Sequence, residues 1–149
     1  MPVRTEIPEP IKVLLTNALS GDKAERHPSK VILLCVSRDL ERPLIDFIKP
    51  YAPLELDITD HNAFKRLMAR VQWKEQLDVL VQLPRHLDFR SSAYYDLAQL
   101  MRQYIICGIR NFIVIGTWET ARDAPKEPRE FANIIVELHS WSYSIKVNE

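Results

Sequence analysis

Glycine is scarce in this 149-residue chain, with only Gly21, Gly108 and Gly116 present. None of them follows the first strongly apolar run, where a backbone that wraps a phosphate needs glycine for close approach and positive φ. A P-loop and a GxGxxG fingerprint are therefore both missing. No CxxC, HExxH or GxSxG occurs either, so zinc clips, zincin-type hydrolysis and the nucleophile elbow lack their sequence signatures. No metal and no cofactor is expected. Cys35 and Cys107 are the only cysteines, and their spacing suggests neither a clip nor a redox pair; the expectation is two thiols in a reducing compartment. Charge of one sign is also lacking, 20 basic against 20 acidic residues, which removes the simplest electrostatic argument for a nucleic-acid or membrane partner. No run approaches the roughly 18 apolar residues of a spanning helix. The start of the chain, with Glu6 and Glu9 ahead of its short apolar patch, does not read as a signal peptide. The expectation is a cytoplasmic protein with no membrane association.

What the chain does contain is an alternation of short apolar runs and amphipathic stretches. Leu77 to Pro84 is rich in branched residues, ends in proline and has a helical pattern on either side, as a central strand of a parallel sheet does. Lys30–Ser37, Asn111–Thr117 and Asn133–Leu138 share that character, and Leu54–Ile58 reads as a short strand. Helical spacing recurs in Ile11, Leu14, Leu15, Ala18 and Leu19, with Pro10 at the start and Gly21 as the stop. It recurs again in Leu44, Phe47, Ile48 and Tyr51 after the segment Arg38 to Pro43. A third stripe is Phe64, Leu67, Met68 and Val71, with Thr59 or Asp60 as the cap, and a fourth is Leu97, Leu100, Met101, Tyr104 and Ile105, with Ser92 as the cap and Gly108 as the stop. Residues 131–147 read either as a terminal strand pair or as a last helix, and the alternation of Val136, Leu138, Tyr143, Ile145 and Val147 favours the pair. The whole predicts one domain over residues 1–149, a three-layer α/β fold with an open, mostly parallel sheet of five or six strands, Rossmann-like or P-loop-like. An N-terminal helix and connection, residues 1–29, precede the sheet core of residues 30–149.

In such sheets ligands bind beyond the carboxyl ends of the strands. The residues there are Ser37, Arg38 and Asp39 after the first strand, Thr59, Asp60 and His61 after the second, and Arg85 and His86 after the third. Thr117, Trp118 and Glu119 follow the fourth strand, and His139 follows the fifth. Histidines, arginines, acids and hydroxyls on one rim suit acid–base work or anion binding. Turn and capping duties account equally well for Ser37, Thr59 and Asp60. Arg66, Arg70 and Lys74 form a basic helical stripe, which reads as a solvated face or as a phosphate tracker.

From Lys30 on, the chain resembles in outline the core of P-loop ATPases of the RecA and AAA+ type. KVILLCVS then corresponds to the P-loop strand, LDVLVQLP to the Walker B strand and Thr117 to a sensor position. Walker A is replaced by the segment from Cys35 to Pro43 and the Walker B acids by Leu83 and Pro84, so the resemblance implies a degenerate, non-hydrolysing relative. PLELDITDHNAFKRLMARV with LDVLV is similar to the middle of short-chain dehydrogenases, but Gln82-Leu83-Pro84 stands for their NAG triplet and neither Tyr94 nor Tyr95 has a lysine four positions on. Cys35-Val36-Ser37 and the loop ending Leu87-Asp88-Phe89-Arg90-Ser91 resemble serine recombinases. The arginine expected two residues before their serine is Cys35, and Arg85 and Arg90 are spaced more widely than that motif.

Three functions follow as expectations. The first is a non-catalytic degenerate nucleotide-fold domain that binds another protein or its own copy, with Trp118, Trp141 and Tyr143 as candidate anchors. The second is a small-ligand enzyme or sensor using the rim, with His61, His86, Arg85 and Glu119 as participants and Ser37 as nucleophile. The third is a DNA-transaction protein.

Overall fold

The computed structural model describes residues 6–20, 30–71, 77–84, 90–104 and 109–148. The first strand, β1 (Lys30–Val36), is apolar at every position after Lys30 because both of its faces are covered. Val31, Leu33 and Cys35 enter one core layer, while Ile32, Leu34 and Val36 enter the other. The same division splits β3 (Leu77–Gln82), β4 (Ile109–Gly116) and β5 (Ile134–Leu138), so period-2 geometry builds two cores from largely apolar runs. The edges are β2 (Leu54–Glu55) and β6 (Tyr143–Val147), and the order across the sheet is β2-β3-β4-β1-β5-β6. All pairings are parallel except that of β5 with β6.

The helices α1 (Glu9–Leu19) and α2 (Arg38–Ile48) cover one face, through Ile11, Leu15, Leu19, Leu40, Leu44 and Ile48. On the other face lie α3 (His61–Val71) and α4 (Ser92–Gln103), with Leu67, Leu97, Leu100 and Met101 against the sheet. A short helix, α5 (Lys126–Phe131), follows a 3-10 turn at Ala121–Asp123. The three-layer α/β class, the N-terminal helix and the antiparallel terminal pair are as the sequence predicts.

Several particulars differ. Leu77–Gln82 is an interior strand but not the middle one, since it lies between β2 and β4 and the centre of the sheet is β4 beside β1. The second helix begins at Arg38, not beyond Pro43, so Pro43 sits inside it. The lost backbone donor is tolerated where Leu40, Leu44 and Ile48 are fully buried. The cap of α4 is Ser91, whose Oγ accepts a hydrogen bond from the Tyr94 amide at 3.2 Å, one residue before the expected cap. Gly21, Ile105, Cys107 and Gly108 lie outside the described residues.

At the amino end of the sheet Asp78, Arg110 and Asn111 form a buried polar cluster. Arg110 grips Asp78 with two bonds, Nε to Oδ1 at 3.0 Å and Nη2 to Oδ2 at 2.7 Å, and donates to the Leu19 carbonyl at 3.0 Å. Asn111 Nδ2 donates to Asp78 Oδ1 and to the Ala18 carbonyl, both at 2.8 Å. Consecutive residues of a regular strand point to opposite faces. A register shift in the β3–β4 pairing, beside Leu77 and Asp78, allows Arg110 and Asn111 both to reach one carboxylate. The cluster fixes the last turn of α1 against the sheet by satisfying two of its terminal carbonyls.

Candidate functional site at the strand carboxyl ends

The connection leaving β1 enters the α1–α2 layer, whereas the one leaving β4 enters the layer of α3 and α4 and returns to β5 on the far side of β1. The loops of two neighbouring strands thus diverge to opposite faces and leave a crevice between them, the general position of ligand sites in open α/β sheets. A cavity of about 220 Å³ lies there, lined by Val36, Ser37, Arg38, Thr117, Trp118, Glu119 and His139. The rim residues expected after strands one, four and five therefore meet in one place, except Asp39, which does not line the cavity.

Their local geometry is set by two tight constraints. A single residue, Ser37, joins β1 to α2; its amide donates to the Leu138 carbonyl at 2.9 Å and its carbonyl accepts from the Leu40 amide at 3.0 Å. Ser37 Oγ does not cap the helix and is buried with no hydrogen-bond partner among the described residues. At the end of β4 the Trp118 ring lies over Gly116, in the space a Cβ would occupy. That close approach requires glycine and makes Trp118 a half-buried wall of the cavity. The side chains of Arg38, Thr117, Glu119 and His139 make no hydrogen bond or ion pair with a described residue.

The chemistry available is limited. A serine nucleophile needs an adjacent base, and no described base lies within hydrogen-bond reach of Ser37 Oγ. The thiol of Cys35, two residues earlier, is pushed up to about 12, first by burial and then by the negative charges of Glu137 and Asp123. It is a neutral core group at physiological pH. Glu137 is itself engaged, its Oε1 accepting from the Ala121 amide at 2.8 Å.

Asp60 and His61 lie elsewhere and are already occupied. Asp60 Oδ1 caps α3 by accepting from the Asn62 amide at 3.0 Å, and its Oδ2 pairs with Arg66 at 3.1 Å. These contacts, the Arg66 bond foremost, hold its carboxyl below the usual carboxylate range. His61 Nδ1 meets Asp96 Oδ2 at 2.9 Å on the exposed surface between α3 and α4. Asp57 accepts from both the hydroxyl and the amide of Thr59, which lowers its carboxyl too and leaves Asp60 as the cap. Within the basic stripe, Arg66 is taken by Asp60. Arg85, His86 and Lys74 lie outside the described residues.

Next to the cavity two further recesses run between α2 and the β2–β3 ends, of about 300 and 380 Å³. Arg38 borders the first of these as well as the cavity, and Arg42, Lys49, Glu55 and Gln82 continue its wall. Arg42 is not among the residues the sequence singles out, because its apolar pattern starts this helix after Pro43; a helix beginning at Arg38 sets Arg38, Arg42, Ile45 and Lys49 along one face. No family model matches this chain, and no curated protein matches it.

Proposed function

We propose that this chain is a non-catalytic α/β domain, a nucleotide-type fold without phosphate-binding or catalytic groups, that works by binding protein as an adaptor or assembly subunit. One observation carries the reading: β1 passes into α2 through Ser37 alone, leaving no loop to surround a phosphate, and no described base lies within hydrogen-bond reach of its hydroxyl. The likeness to RecA and AAA+ cores belongs to the proposal. It assigns β1, β3 and β4 to the P-loop, Walker B and sensor strands, and with β4 between the other two, Ser37, Leu83 and Thr117 fall on a common rim. An interaction role draws support from Trp141 and Tyr143, which expose 64% and 40% of their surface at the β5–β6 edge.

A thermal-shift panel of ATP with magnesium, GTP, NAD(P)H, cyclic nucleotides and short DNA tests it. The expected result is a flat panel from a folded protein. A ligand at about a hundred times its dissociation constant would stabilise the fold by about 2.7 kcal/mol, a shift of several degrees. A second reading, a small-ligand sensor, is favoured by the side chains of Ser37, Arg38, Thr117, Glu119 and His139 around one cavity, which have no hydrogen-bond or ion-pair partner among the described residues. A reproducible shift lost in Arg38→Ala would replace the first reading with the second.

A further inference from the structure

The β6 edge carries information about what covers it. In the β5–β6 ladder the Asn148 amide donates to the Asn133 carbonyl at 2.7 Å, and the His139 amide donates to the Ser142 carbonyl at 2.8 Å. Both bonds lie on the register that sets Ile134 opposite Val147 and Leu138 opposite Tyr143. Bonded and non-bonded pairs alternate along an antiparallel ladder. The backbone groups of Ser144 and Lys146 therefore turn toward β5, and those of Tyr143, Ile145 and Val147 turn out from the sheet. The same three residues put their side chains on one face, where Ile145 packs against the core while Val147 and Tyr143 are 61% and 40% exposed.

This pattern is symmetric about Ile145. We propose that β6 pairs antiparallel with β6 of a second copy, on a two-fold axis at Ile145, extending the sheet across the dimer; the inference rests on the assembly reading above. A two-fold interface must be self-complementary, and β6 meets that condition in three respects. The outward backbone groups of residues 143, 145 and 147 meet those of 147, 145 and 143. Tyr143 falls opposite Val147, an aromatic–β-branched pair of the kind that stabilises neighbouring strands. Lys146, the single charged residue of the strand, falls opposite Ser144 of the second copy, so no like charges meet directly and its ammonium stays on the solvated face.

Sedimentation velocity over a concentration series tests the pairing. The full chain is expected to dimerise, and Val147→Pro to weaken the dimer by about tenfold or more, because each copy loses an outward N–H and gains a ring at the edge. That N–H plays no part in pairing with β5, so the monomer fold, followed by circular dichroism, is expected to be kept. In a second variant, Ser144→Cys with Lys146→Cys, the two positions face one another as a non-bonded pair close enough for a disulfide. Mild oxidation is expected to give a reducible covalent dimer. A wild-type dimer that Val147→Pro leaves intact, or an oxidised double variant without covalent dimer, overturns the β6 pairing and leaves assembly by another surface. A chain that stays monomeric at every concentration overturns the second copy as occupant while a flat ligand panel would still support the binding-module reading, with a strand from a different protein as its partner.

Discussion

Among the described residues, Asp78, Arg110 and Asn111 are the polar ones buried in the core, and the side chains of Asp78 and Arg110 are 1% and 3% exposed. Removing one partner of such a pair strands the other charge in a medium that cannot solvate it. Asp78→Ala is expected to cost about 3–5 kcal/mol in chemical denaturation, and the loosening of α1 should appear as faster amide exchange at Ala18 and Leu19. Cys35 gives a pH-dependent prediction. Its proton is held up to about 12 in the folded protein against an ordinary value of 9.0. The thiol thus contributes stability that is complete below pH 9 and is lost as pH rises from there toward 12. Alkylation at pH 8, with peptide mapping to resolve Cys35 from Cys107, is expected to modify Cys35 only in denaturant. Ala52, at φ 52° after the 3-10 turn Lys49–Tyr51, holds a left-handed conformation that disfavours a Cβ. Ala52→Gly is expected to stabilise by about 0.5 kcal/mol, the relief of that strain offset by the entropy of an unfolded glycine. The buried cluster was legible in part: a charge inside an apolar strand run must have a partner, and Asp78 stands in such a run. Which partner it takes depends on the β3–β4 register shift, which no local pattern reveals.

Helix and strand types follow from periodicity because burial enforces it, whereas their ends depend on single bonds. The start of α4 illustrates this. Ser91 and Ser92 are equivalent as caps by composition, and only the bond from Tyr94 distinguishes them. Ser91→Ala is expected to cost about 1 kcal/mol in thermal or urea unfolding, and Ser92→Ala much less. The start of α2 departs from the sequence pattern for the opposite reason: a proline normally marks a boundary, and here the apolar spacing of Leu40, Leu44 and Ile48 outweighs it. The terminal pair is legible against a helix because alternation persists through Val147 on a strand with one face against the core.

Taken as a whole, the molecule joins strands that lie far apart in the chain, β1 with β4 and β5 through parallel pairing. Loop closure must precede the burial that rewards it. Refolding followed by tryptophan fluorescence in stopped flow is therefore expected to take milliseconds to seconds, slower than a helical bundle of this length. The layer count could be read from the alternation of elements, but the strand order could not, because each run is apolar on both faces whatever its neighbours. The candidate crevice inherits that limit. Its residues could be named one loop at a time, and their meeting depends on β1 lying between β4 and β5.

The one-residue passage from β1 into α2 also bears on what could be made of this chain. Point changes act on side chains, and no exchange of residues at Cys35 to Pro43 creates backbone where the strand already touches the helix. Engineering a triphosphate grip here calls for an insertion that parts Val36 from Arg38 and breaks the Ser37 tie to Leu138. A library built by substitution alone is then expected to yield no nucleotide binder at this junction, and one built by loop grafting has the geometry to do so.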